Sequence, residues 1–245
     1  MRMLIRRGLL VLGSAMLAVS ILPPASRAQS AKPRIGFIGA GRIGSQLAAF
    51  WAHSGYPVMI SARNLEPLKV LAAQIGSNVQ VGTPAQAAAF GEVVVVTVPY
   101  GALPQVGRDY ASQLKGKIVL DTCNPNVRRD GDMTKDALEK GTGVMDPIYL
   151  PGTRLVRAFN TVGAAQLAPN ANRPGEHIGI PLASDDKDAL LVAARMVRDA
   201  GFEPVIVGDL STARRFDPGT AVYGKALPAS EVRAALNVSV SPEDR

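Results

Sequence analysis

A chain of 245 residues has room for one large domain or two small ones, and its single cysteine and two histidines exclude an intrachain disulfide and any cysteine–histidine metal cluster. The formal charge is +7, but Arg2, Arg6, Arg7 and Arg27 fall in the first 28 residues beside no acid, so the remainder carries a scattered +3 that gives little reason to expect nucleic acid as a partner. Aromatics make up 5% of the residues while Ala, Val and Gly abound, which suits a tightly packed α/β protein.

The opening "MRMLIRRGLLVLGSAMLAVSILPPASRA" has basic residues, an apolar stretch from Gly8 to Leu22, then Pro23 and Pro24, and small residues before a cleavage point after Ala28. That is a signal-peptide pattern, and its apolar run is shorter than the ~20 residues a membrane-spanning helix needs. The pair Arg6-Arg7 ahead of Leu9-Leu10 reads as a twin-arginine signal; a Sec signal and an uncleaved anchor are the alternatives. The expectation is an exported, periplasmic protein that is free of the membrane once residues 1–28 are removed. Residues 29–245 form the domain, with a C-terminal extension from about residue 211.

From residue 34 onward the chain alternates. "RIGFIG" (34–39) is a buried strand that turns into a helix carrying Leu47, Phe50 and Trp51 on one face. "VMISAR" (58–63) is the second strand, 64–76 a helix and "VQVG" (79–82) the third strand. Thr83 and Pro84 start a short helix, and the β-branched run "EVVVVTVP" (92–99) marks a strand covered on both faces. Residues 103–116 are helical and "KIVLDTCN" (117–124) is a strand. Residues 125–154 read as irregular, with one short helix from Thr134 to Lys140. Strands follow at 155–160, 177–184 and 203–209, with a helix over 185–201 and a last helix from about Ser230. This order predicts a Rossmann-type, doubly wound α/β fold: a mostly parallel sheet with helices on both faces, in a single compact domain.

Gly39-Ala40-Gly41-Arg42-Ile43-Gly44 matches G-x-G-x-x-G in its confirming context, a strand before and a helix after. Gly39 permits the turn, Gly41 lets backbone N–H groups approach a pyrophosphate, and Gly44 lets the helix lie close on the sheet. Where the second strand of such a fold usually ends on an acid that holds a ribose hydroxyl, this chain has Ser61, Ala62 and Arg63. No carboxylate repels a 2′-phosphate there, and the Arg63 guanidinium can hold one, with Ser61 and Lys69 in support. Arg42 is placed to stack on adenine or touch the same phosphate. The expected ligand is NADP(H) rather than NAD(H). Cys123, at a strand end with no histidine in sequence reach, reads as structural.

The stretches "IGFIGAGRIGSQLA", "SAR", "VVVVTVP", "VLDTCNP", "LVRAFNTVGA" and "DAGFEPVIVGDLSTAR" together resemble the F420-dependent NADP oxidoreductase family, and also the nucleotide domain of STEAP ferric reductases. The resemblance implies that Gly39 to Gly44 carry the pyrophosphate and that Ala62 and Arg63 hold the 2′-phosphate. It also implies that Val98 and Pro99 line the ribose and nicotinamide side, that Ala158 to Asn160 sit near the nicotinamide, and that Leu210 helps close the pocket. The tail after Arg214 departs from the family pattern. The activity expected is hydride transfer between NADP(H) and a small-molecule acceptor, a flavin or a deazaflavin of the F420 type. The coenzymes carry such chemistry, so no catalytic side chain and no metal are expected. A homodimer is compatible with this reading. The alternatives are an NADP-binding sensor module without turnover, and a reductase of the pyrroline-5-carboxylate or 3-hydroxyacid type, which would need a helical second domain.

Overall fold

The computed structural model describes residues 32–240; the leader read over residues 1–28 lies outside them. Eight strands form one sheet: β1 (Ile35–Ile38), β2 (Val58–Ser61), β3 (Val79–Gly82), β4 (Val93–Val96), β5 (Ile118–Asp121), β6 (Arg154–Arg157), β7 (Gly179–Ala183) and β8 (Glu203–Gly208). Their spatial order is β3-β2-β1-β4-β5-β6-β7-β8. The first six pair in parallel, β7 pairs in parallel with β8, and β6 meets β7 antiparallel through Arg157 and Ala183. The strands after residue 160 therefore extend the same sheet. They leave no helical second domain among the described residues, which removes the premise of the hydroxyacid-reductase alternative.

The four valines of β4 show why its run is unbroken. Val93 and Val95 enter the core on one face, with Leu47 and Trp51 of helix Gly44–His53 and Ala193 of helix Lys187–Asp199. Val94 and Val96 enter the core on the other face, with Leu103, Val106 and Met145. Thr83 caps helix Pro84–Phe90 in a reciprocal capping box with Gln86, and Asp186 caps helix Lys187–Asp199 by accepting from Ala189 N–H at 2.9 Å. Trp51 fastens the two ends of the chain: its indole N–H donates to Met196 O at 2.7 Å, and its ring meets Phe159 edge-on at 5.8 Å.

Two stretches differ from the sequence expectation. Residues 125–154 are helical over Val127–Asp130, Thr134–Lys140 and Thr142–Tyr149. The last of these contains Gly143 and Pro147, which ordinarily argue against a helix. Gly143 is required there because a Cβ would overlap the Leu210 carbonyl of the crossing segment. Helix Ala164–Asn170 was also not expected. The tail is no appendage: the 3-10 segment Leu210–Arg215 and helix Ala229–Leu236 cover β7 and β8, burying Ala213, Phe216, Val222 and Val232 against Val205 and Val207.

Arg157, at the end of β6, is fully buried. Its guanidinium lies 3.0 Å from Asp121, 3.3 Å from Asp146 and 3.8 Å from Asp217, and donates to Cys123 O at 2.8 Å. Tyr100 donates its hydroxyl to Asp146 at 2.7 Å, and Asp217 accepts from the backbone N–H (2.9 Å) and the hydroxyl (2.6 Å) of Thr142. One cation thus joins β5, β6, helix Thr142–Tyr149 and the tail. Removing it would leave buried carboxylates unpaired, a change worth about 3–5 kcal/mol.

Burial pushes the Asp146 carboxyl well above the usual carboxylate range; the pull of Arg157 opposes this, and neighbouring Asp121 adds to the rise. Between the ordinary carboxylate pKa and that raised value the folded chain holds a proton that the unfolded chain releases, so this group's contribution to stability falls as pH rises through the window. Asp146→Asn mimics the protonated acid and should gain stability relative to the parent as pH increases from below 4 upward, about the ordinary Asp value. Urea denaturation over a pH series checks this; a stability difference independent of pH would refute it.

Candidate functional site

The sheet order reverses between β1 and β4, and a groove opens there across the C-terminal ends of the strands, where ligands of doubly wound folds bind. It consists of two cavities, of about 580 Å³ and 360 Å³, that share Gly41, Thr97, Val98 and Pro99. The larger runs toward Ala62 and Arg63 at the end of β2, with Pro84, Val106 and Tyr110 as further walls. The smaller runs toward Cys123, Asn124 and Pro125 beyond β5.

The glycine turn lies at the junction. Gly39 has φ +97°, a left-handed backbone that its missing Cβ allows, and its carbonyl accepts from the Thr97 hydroxyl. A Cβ on Gly44 would overlap that hydroxyl and the Gly39 carbonyl, so helix Gly44–His53 can approach the sheet only with glycine at its start. Gly41 differs from both: a Cβ there would meet no protein atom within 4 Å. Packing does not demand glycine at this position, and the space kept free is the groove itself. A backbone bared toward an open groove at a helix start suits an anion, with N–H groups and the helix dipole directed at it.

The structure divides the sequence-predicted residues. Gly39, Ala40, Gly41, Ala62, Arg63, Val98 and Pro99 line the larger cavity, and Arg63 is exposed. Arg42 and Ile43 line the smaller cavity, so Arg42 borders a different part of the groove from Ala62 and Arg63. Four residues are corrected. Ser61 is fully buried and donates to Phe37 O at 2.6 Å, tying β2 to β1 instead of facing a phosphate. Ala158 is fully buried in the core. Asn160, 3% exposed, supports the groove at one remove: Asn124 Nδ2 donates to its carbonyl at 2.8 Å. Leu210 is packed in the second core, where it does not close the pocket. Lys69 pairs with Glu66 at 2.6 Å on the surface.

Sequence reasoning missed several lining residues: Thr97, Asn124, Asn126, Arg129 and Tyr223. Asp130 organises this side. It binds Arg129 through both carboxylate oxygens, at 2.8 and 2.7 Å, and accepts from Asn126 N–H at 3.0 Å. Burial raises its pKa, but the hydrogen bonds from Arg129, Asn126 and Gly101 outweigh this and hold the carboxyl below its ordinary range. Arg129 also donates to Asn124 O at 2.9 Å, which fixes the loop after β5. Cys123 is buried, and burial followed by the neighbouring Asp121 pushes its thiol well above the ordinary value, as befits a structural residue.

Topology and turn together define a Rossmann-type dinucleotide-binding domain with no carboxylate at the end of β2. Residues 34–125, spanning the first five strands, match the model of the family described as NADP oxidoreductase, coenzyme F420-dependent. Among curated proteins, the chain is 28% identical over 219 residues to the F420-dependent NADP reductase of Methanothermobacter thermautotrophicus, covering 84% of this chain and 94% of that one. It is 28% identical over 207 residues to rat metalloreductase STEAP3, covering 83% of this chain but spanning only 39% of the length of STEAP3. Among solved structures, a hypothetical protein of Sinorhizobium meliloti superposes with a TM-score of 0.70 at 26% identity, covering 82% of this chain and 97% of that one. A Mycobacterium tuberculosis 3-hydroxyisobutyrate dehydrogenase superposes with a TM-score of 0.54 at 17% identity over 75% of this chain and 57% of its own, a likeness of fold alone.

Gly41→Val should abolish binding of both NADPH and NADH while leaving the melting temperature close to the parent value, because a Cβ at this position meets no protein atom within 4 Å and borders the groove. Calorimetric titration beside a thermal melt checks this, and retained affinity for either coenzyme would remove the turn from the site.

Proposed function

We propose that the chain is an NADPH-dependent oxidoreductase that passes a hydride between the nicotinamide of NADP(H) and a flavin-like or deazaflavin acceptor. The observation that carries the proposal is the bared Gly41 backbone lying in one groove with Arg63, where the sheet order reverses. In this reading the turn from Gly39 to Gly44 holds the pyrophosphate. Arg63 offers its guanidinium to the 2′-phosphate, and the larger cavity takes the adenosine. Val98 and Pro99, common to both cavities, pass the chain of the coenzyme on to the smaller one, which takes the nicotinamide.

Bound NADPH supplies the reducing equivalents as a hydride at nicotinamide C4, and the acceptor ring takes its proton from solvent. The protein's part is placement. Arg129, clamped by Asp130, and Asn124, held by Asn160, would form the wall that positions the nicotinamide. The proposed reaction needs distance and orientation above all. The names of the archaeal relative and of the family support this reading, and the coverage of nearly the whole archaeal reductase extends it beyond the matched 34–125 segment.

The coenzyme half is tested by Arg63→Ala. Loss of a charge-assisted contact of about 1.5–3 kcal/mol should weaken NADPH by about 10- to 100-fold and leave NADH nearly unchanged. Equal losses for the two coenzymes would refute the 2′-phosphate role. The acceptor half is tested by mixing the NADPH complex with FMN, riboflavin or a deazaflavin and following nicotinamide absorbance. Oxidation by none of these would reduce the proposal to coenzyme binding.

A further inference from the structure

The tail that departs from the family pattern returns one side chain to the groove. We infer that Tyr223 is a positioning residue whose ring forms the wall of the nicotinamide end and packs on the nicotinamide. The inference rests on the NADP reading of the groove and deepens it.

Three observations carry it. First, Tyr223 is the single aromatic residue among those lining the smaller cavity, which it shares with Cys123, Asn124, Pro125, Arg129 and Thr97 to Pro99. A planar ring entering there has one flat partner. Second, the backbone that bears Tyr223 is fixed on both sides. Asp217 is locked to Thr142 and to buried Arg157, Thr220 N–H and hydroxyl both turn back to Asp217 O (3.2 and 2.9 Å), and Val222 is buried. Immediately beyond, Gly224 N–H donates to Thr161 O at 2.8 Å. The ring is thus held by a chain segment tied to helix Thr142–Tyr149 and to the end of β6, as a positioning element requires. Third, the side chain is half-buried, and burial raises its phenol pKa, opposed by Arg129 and Arg157. It remains a neutral ring with an O–H, suited to packing on a pyridine face and not to acting as a base.

The probes are NADPH and 2′-phospho-ADP-ribose, which keeps the pyrophosphate and 2′-phosphate but lacks the nicotinamide. Tyr223→Ala should raise the NADPH Kd by about 3- to 10-fold, the range for an aromatic pair, with the Kd of 2′-phospho-ADP-ribose unchanged. Tyr223→Phe should restore the parent value. Tyr223→Leu, which fills the space without a ring, should repeat the selective loss and serves if the alanine variant does not fold. Equal weakening of both probes would make Tyr223 merely structural, and an unchanged NADPH Kd in the Ala and Leu variants would mean that the ring does not touch the coenzyme; either result overturns the inference. Failure of the unmutated protein to bind either probe would overturn the NADP reading itself, and the two failures are thereby told apart.

Discussion

One buried guanidinium holds the far side of this molecule together. Arg157 ends β6 with no exposure to solvent and faces three aspartates contributed by β5, by helix Thr142–Tyr149 and by the tail. Any charge so deeply placed requires partners, and these partners come from three separate segments of the chain. Asp121 also accepts from Cys123 N–H at 2.8 Å, so the start of the loop that lines the smaller cavity is set by the same cluster. The apolar cores would form a sheet without Arg157. The arrangement of loops after β5, β6 and β8, which is what makes a groove of the sheet edge, depends on it.

The coenzyme side rests on a different constraint, the approach of backbone to backbone. Gly39, Gly44 and Thr97 are in contact through atoms that no side-chain change could preserve, whereas Gly41 is free of such contact. The first kind of glycine records packing; the second borders open groove, as the proposed coenzyme site requires. Distinguishing them separates a fold signature from a binding signature within one six-residue motif.

Local chemistry was legible in the sequence wherever it decided the outcome. The β-branched run of β4, the Thr83–Pro84 helix start and the glycine turn each carry their own short-range instructions, and their elements lie where those instructions place them. The single sheet followed from the strands after residue 160. Positions set by distant contacts were not legible. Ser61 looked like a phosphate ligand because it sits beside Arg63, but alternation along β2 turns its hydroxyl inward to Phe37. Helix Thr142–Tyr149 was hidden by Gly143 and Pro147, and the reason for Gly143 is the Leu210 carbonyl, far away in sequence. Tyr223 carried no signal at all, since its place depends on Asp217 meeting Thr142. The resemblance put Ala158 to Asn160 near the nicotinamide, but they lie one layer deeper: Ala158 and Phe159 are buried in the core, and the Asn160 carbonyl accepts from Asn124 behind the groove.

The antiparallel meeting of β6 and β7 has a mechanical consequence. It brings the chain back so that the strands after residue 160 extend the sheet that carries the groove. Strands of one continuous sheet do not swing together around a hinge. In the proposed function, ligands would enter and leave this groove by the movement of loops and side chains.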